Sequence, residues 1–87
     1  MYQVEFLPQA INDLRRLDKP VAQRVASKLR WLAENFDSIR REALAGPLTG
    51  LRKLRVGDYR VICEPDRESR LITVHMIGHR SEIYHQS

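Results

Sequence analysis

The chain has 87 residues, 15 Lys+Arg against 11 Asp+Glu for a formal net charge of +4, and a hydrophobic fraction of 43%. That length admits one domain, residues 1–87, with an economical core, and the positive balance favours polyanionic partners without fixing a fold. A single cysteine, Cys63, excludes an internal disulfide and a multi-cysteine metal cluster, and points to a reducing compartment.

Tyr2, Val4 and Phe6 alternate with Gln3 and Glu5, the period of a short strand with one covered face. The same stretch lacks the charged start and apolar run of a signal peptide, and no apolar run approaches the ~18 residues of a membrane span. The expectation is a cytoplasmic protein with no membrane association. Pro8 ends the strand and opens a helix carrying Ala10, Ile11, Leu14 and Leu17 on one face. Asp18-Lys19-Pro20 breaks and restarts the pattern, and a second helix runs to about Asn35 with an apolar stripe of Val21, Val25, Leu29, Leu32 and Phe36. Arg24, Lys28 and Arg30 are left to its other faces. Trp31 reads as core or as a partner-binding surface in preference to a base-stacking platform.

From Asp37 to Gly50 the periodicity dissolves into a loop, with room for a helical turn over Ile39 to Leu44. Leu51 to Val56, Tyr59 to Glu64 and Leu71 to Gly78 read as three strands, joined at Gly57-Asp58 and through Pro65 to Ser69. The order predicts an α+β fold: an N-terminal strand, a two-helix hairpin, then a three-stranded antiparallel meander, with the helices on one sheet face and the other partly open.

Alternation places Lys53 and Arg55 on the solvated side of their strand, opposite Leu54 and Val56. Arg52, Lys53, Arg55 and Arg60 surround the Gly57-Asp58 turn with Asp58 as the one acid, an imbalance suited to a phosphate backbone; the competing reading is a charged strand edge that deters pairing. Asp58 supports the turn, or orients Arg60. Downstream, Gly78-His79-Arg80 precedes Ile83-Tyr84. His79 suits a base or a phosphate contact, and Tyr84 suits either the site or an amphipathic plug of the core. His75, within a strand, reads as structural, Cys63 as core packing, and no histidine or cysteine has a metal-ligand companion set, so neither metal nor cofactor is expected.

These elements resemble the RelE/ParE superfamily of toxins from type II toxin–antitoxin modules. The resemblance is carried by the opening strand, Ala10-Ile11-Asn12-Asp13-Leu14, Leu48-Thr49-Gly50-Leu51, the Leu54 to Ile62 segment with its Gly-Asp-Tyr-Arg turn, and Gly78-His79-Arg80 with Ile83-Tyr84. In the RelE branch it implies metal-independent cleavage of messenger RNA in the ribosomal 30S A site. The ribose 2′-hydroxyl would attack the adjacent phosphate to leave a 2′,3′-cyclic phosphate and a 5′-hydroxyl. Lys53 and Arg55 match the basic strand positions, Arg60 the arginine after the turn, Arg80 the arginine after the last strand, and Tyr84 the near-terminal tyrosine. Lys53, Arg60, Arg80 and Tyr84 are thus the implied catalytic set, and Arg52, Arg55 and His79 the RNA contacts. Arginine clamps would stabilise the charge of the transition state. Cationic crowding would bring either Tyr84 or Lys53 nearer to working pH, with Tyr84 preferred as base and Lys53 as charge stabiliser. The basic strand departs from the familiar pair of lysines by offering Lys53 with Arg52 and Arg55. The other implied partner is a cognate antitoxin, acidic where it touches the chain, in a toxin–antitoxin heterotetramer. The ParE branch would instead imply a gyrase inhibitor, and some relatives bind nucleic acid without cutting it.

Overall fold

A computed structural model describes residues 1–38 and 50–83. In chain order these form β1 (Gln3–Phe6), α1 (Pro8–Arg16), α2 (Lys19–Asn35), a 3₁₀ turn at Phe36–Ser38, β2 (Arg52–Val56), β3 (Tyr59–Asp66), β4 (Leu71–His79) and a short α3 (Arg80–Ile83). The expected helical turn over 39–44, Leu48-Thr49, Tyr84 and His85 lie outside the described residues. No helix among the described residues is long and apolar enough to cross a membrane.

The four strands form one sheet in the order β1-β4-β3-β2. β2, β3 and β4 are the expected antiparallel meander, and β1 joins parallel to β4 after the helical crossover, with Val4 beside Ile72 and Phe6 beside Val74. Both helices cover one face. Val25, Leu29, Leu32 and Phe36 of the predicted stripe are buried against Leu54, Val61, Cys63, Ile72 and Val74, with Val21 partly buried beside them. Leu17 turns extended after α1, and Pro20 lies in the first turn of α2, as its fixed φ and missing N–H allow. Ile11 departs from expectation: it is exposed, while Ala10 and Leu14 make the contact.

The end of β3 also differs. β3 runs through Pro65 to Asp66, with Pro65 opposite Ile72, where the sequence reads a connection. β2 pairs with β3 no further than Cys63, so the missing N–H of Pro65 costs no bond to β2. β4 carries a register shift at Ile62/Cys63 that leaves His75 as the extra residue between Val74 and Met76. Its Nε2 lies 3.0 Å from Glu64 Oε1. Beyond Val74, β4 has outrun β1, and the Ile77 N–H donates instead to Asp13 Oδ2 of α1 at 3.0 Å. That bond fixes the end of β4 from which Gly78, His79 and Arg80 emerge.

The outer sheet face is less open than the sequence implies, because α3 folds back over it. A Cβ at Gly78 would lie 3.4 Å from Ile83 Cδ1, and Ile83 itself is buried.

Candidate nucleic-acid interface

The turn between β2 and β3 organises the site. Gly57 has φ +59°, a conformation that glycine reaches without Cβ strain, and it stands first of two turn residues, as a type II′ hairpin requires. Its register puts Arg55 directly opposite Arg60, and Arg60 opposite Gly78, so these three form one row across β2, β3 and β4. Lys53 lies two residues along β2 on the same outer face, beside Ile62. Leu54 is 1% exposed on the inner face and Arg55 is exposed, in agreement with the predicted alternation.

Arg60 is held rather than splayed. It is 8% exposed, and its Nη1 donates to the carbonyls of Gly57 at 2.9 Å and Tyr59 at 2.8 Å. Without these two acceptors that nitrogen of the desolvated guanidinium would be left unsatisfied. Arg80 reaches the same turn from the far side: its N–H donates to the Asp58 carbonyl at 2.8 Å, and its Nε lies 3.8 Å from Asp58 Oδ1. Asp58 therefore supports the turn and engages Arg80. The alternative, that it orients Arg60, is not what the geometry shows. The two arginines separated by twenty residues of sequence converge on one two-residue turn, each bound to a different one of its carbonyls.

His79 ends β4. The Ser81 N–H donates to His79 Nδ1 at 3.1 Å, and the Ser81 hydroxyl lies 2.8 Å from the same nitrogen. A backbone N–H only donates, so Nδ1 is an acceptor and the neutral ring carries its proton on Nε2. In that tautomer the ring offers a donor, which favours a phosphate contact over a base. Its ring meets Tyr59 edge-on at 5.3 Å between centroids.

Arg52 departs from the others. It pairs with Cys63 on the helix-facing side of β2, and its Nη1 donates to the Leu51 carbonyl at 3.1 Å. The outer-face set is therefore Lys53, Arg55 and Arg60, with Arg80 at the turn. Tyr84 lies outside the described residues, and no group of three or more His, Cys, Asp or Glu side chains gathers among those described.

A second cationic surface continues from Arg55. Between α2 and the β2 edge runs an open groove of about 810 Å³, lined by Arg24, Lys28 and Trp31 on one side and Arg55, Val56 and Gly57 on the other. Lys28 Nζ lies 4.3 Å from the Trp31 ring centroid. The α2 residues follow i, i+4, i+7 spacing, a stripe countable in the sequence, where Arg24 and Lys28 read as left to the other helix faces and Trp31 as core or partner-binding surface.

The fold is shared with known proteins. A family model described as the ParE toxin of the type II toxin–antitoxin system, parDE, matches residues 4–84. The toxin–antitoxin complex RelBE2 from Mycobacterium tuberculosis has a chain of similar fold, with TM-score 0.77 and 22% identity over 91% of this chain and 98% of that one. The isolated E. coli RelE toxin is similar at TM-score 0.73 and 25% identity, over 99% and 93% of the two chains. The RelE–RelB complex of the archaeon Pyrococcus horikoshii OT3 gives 0.70 and 23%, over 93% and 97%. No curated protein sequence matches. The chain belongs to the ParE toxin family of type II toxin–antitoxin systems, within the RelE/ParE superfamily.

Proposed function

We propose that the protein cuts ribosome-bound messenger RNA by metal-independent transesterification. The observation that carries this reading is the convergence of Arg60 and Arg80 on the Gly57-Asp58 turn, with Arg55 and Lys53 on the adjoining outer face. The ribose 2′-oxygen attacks the neighbouring phosphorus, the bond from phosphorus to the 5′-oxygen breaks, and the products are a 2′,3′-cyclic phosphate and a 5′-hydroxyl. RNA supplies the nucleophile, so the protein needs only to position the strand, take the 2′-proton and stabilise a more negative transition state. Arg60, already held by two carbonyls, is preorganised for that charge. Arg80 leaves Asp58 for phosphate, a small cost because both partners of that pair are exposed. Tyr84 takes the 2′-proton in this reading, Lys53 stabilises charge, and the departing 5′-oxygen takes its proton from solvent.

The partners in this reading are the messenger, the 30S A site and a cognate antitoxin, acidic where it covers the basic face, in a heterotetramer; the antitoxin is supported by the similar chains that occur in toxin–antitoxin complexes. The working compartment is the cytoplasm. A second reading, inhibition of gyrase, is favoured by the ParE description of the matching family. Primer extension on total RNA after induction separates the two. Cuts at fixed codon positions, abolished by Arg80→Ala, support the nuclease, whereas intact messages with DNA-damage signalling support gyrase.

A further inference from the structure

We propose that the groove between α2 and β2 is a subsite for single-stranded RNA, in which Trp31 stacks a base while Arg24 and Lys28 hold the flanking phosphates. The inference rests on RNA being the ligand of the neighbouring arginine turn, and it extends the path of the strand beyond that turn.

Arg55 belongs to both surfaces. It lines the groove and is the direct cross-strand partner of Arg60. A strand leaving the turn at Arg60 therefore crosses Arg55 and enters the groove without a gap in positive charge. Arg24 extends this path from the other wall, because a Cβ at Gly57 would lie 3.8 Å from its Nη1. Among the described residues no carboxylate lines the groove, whereas three cations do. Trp31 is 39% exposed, and the Lys28 ammonium sits over its ring, so a base that stacks on that face displaces the ammonium toward the flanking phosphate.

This pattern favours RNA over an acidic protein segment. A docked peptide draws its affinity from buried apolar anchors, and the apolar lining among the described residues amounts to Trp31, Val56 and Pro20. Spaced cations around one aromatic platform match the way single strands are held, with stacking that tolerates any base.

Trp31 is the only tryptophan in the chain, so its emission reports directly on the groove. The full chain is titrated with a non-cleavable 2′-O-methyl RNA of about twelve nucleotides, a length within the site sizes of single-strand binders. Anisotropy and Trp31 emission are read together. The expected result is quenching in step with binding. Trp31→Ala weakens binding about tenfold with the salt slope unchanged. The double variant Arg24→Ala, Lys28→Ala lowers the slope of log K against log salt by about 1.4, since each phosphate contact on a single strand contributes about 0.7. Thermal melts show that the variants fold, and Trp31→Phe restores part of the affinity should Trp31→Ala unfold.

Saturated anisotropy with unchanged emission overturns the proposal, as does an acidic peptide that quenches Trp31 and displaces no RNA. The two readings fail separately. Groove binding with ribosome-bound message left intact keeps this proposal and removes the nuclease, whereas cutting with no Trp31 signal does the reverse.

Discussion

Arg80 and Asp58 are joined twice, once by a backbone hydrogen bond of 2.8 Å and once by a side-chain approach of 3.8 Å. The first fixes the end of β4 against the β2–β3 turn. The second parks an exposed guanidinium on the acid that a phosphate would have to displace. Asp58→Asn keeps the backbone bond and removes the competitor. The expected outcome is a stability change below about 1 kcal/mol and several-fold tighter RNA binding at low salt, with a salt slope steeper by about 0.7. Denaturant melts and anisotropy titrations at several salt concentrations measure both.

Arg60 and Arg80 should respond differently to truncation. Arg60→Ala leaves the carbonyls of Gly57 and Tyr59 without their buried donor, so it should destabilise the chain by about 2–3 kcal/mol. Arg80→Ala removes an exposed side chain and should cost under about 1 kcal/mol, yet reduce cutting by about a hundredfold or more if it stabilises the transition state. Urea denaturation beside a cleavage assay distinguishes a residue that holds the site from one that acts in it.

Much of this architecture is written in local periodicity. The stripe Val25, Leu29, Leu32 and Phe36 predicts the buried face of α2, and Gly57-Asp58 between two alternating runs predicts the hairpin and the outward Lys53 and Arg55. Features that depend on distant elements were not legible. Pro65 stays in β3 because β2 has already ended, which no local rule foretells. The burial of Arg60 depends on the turn folding back over its guanidinium and on Gly78 opposite it, where Ile83 packs. The stripe of Arg24, Lys28 and Trp31 could be counted along α2, but its second wall comes from the β2 edge about thirty residues later.

Asp13 acts at the opposite side of β4. Its carboxylate accepts the Ile77 N–H at 3.0 Å where β1 no longer pairs. Asp13→Ala should cost about 1–3 kcal/mol, because the donor is only partly accessible to water. Hydrogen exchange should show the loss first at Ile77, then at the residues leading to Arg80. Exchange that rises uniformly along β4 would show that the bond adds general stability and does not position the strand end.

Burial pushes the Cys63 thiol up to about 12, against a smaller opposing pull from Arg52. The folded state therefore holds the thiol proton more tightly than the unfolded chain, whose ordinary value is 9.0. This contribution to stability is complete below pH 9 and is lost between pH 9 and about 12, at about 1.4 kcal/mol per pH unit. Stability curves of the protein and of Cys63→Ala should run parallel below that window and draw together as pH rises through it. In the native protein at pH 8, Cys63 should resist alkylation until the chain unfolds, since the reactive thiolate is both scarce and buried.

The most direct test of the central claim is end-group analysis of messenger RNA exposed to the purified protein on programmed ribosomes, with Arg80→Ala alongside. The account predicts fragments ending in a 2′,3′-cyclic phosphate paired with 5′-hydroxyl fragments, and their loss in the folded variant. Full-length message after prolonged incubation, or equal cutting by Arg80→Ala, would contradict it.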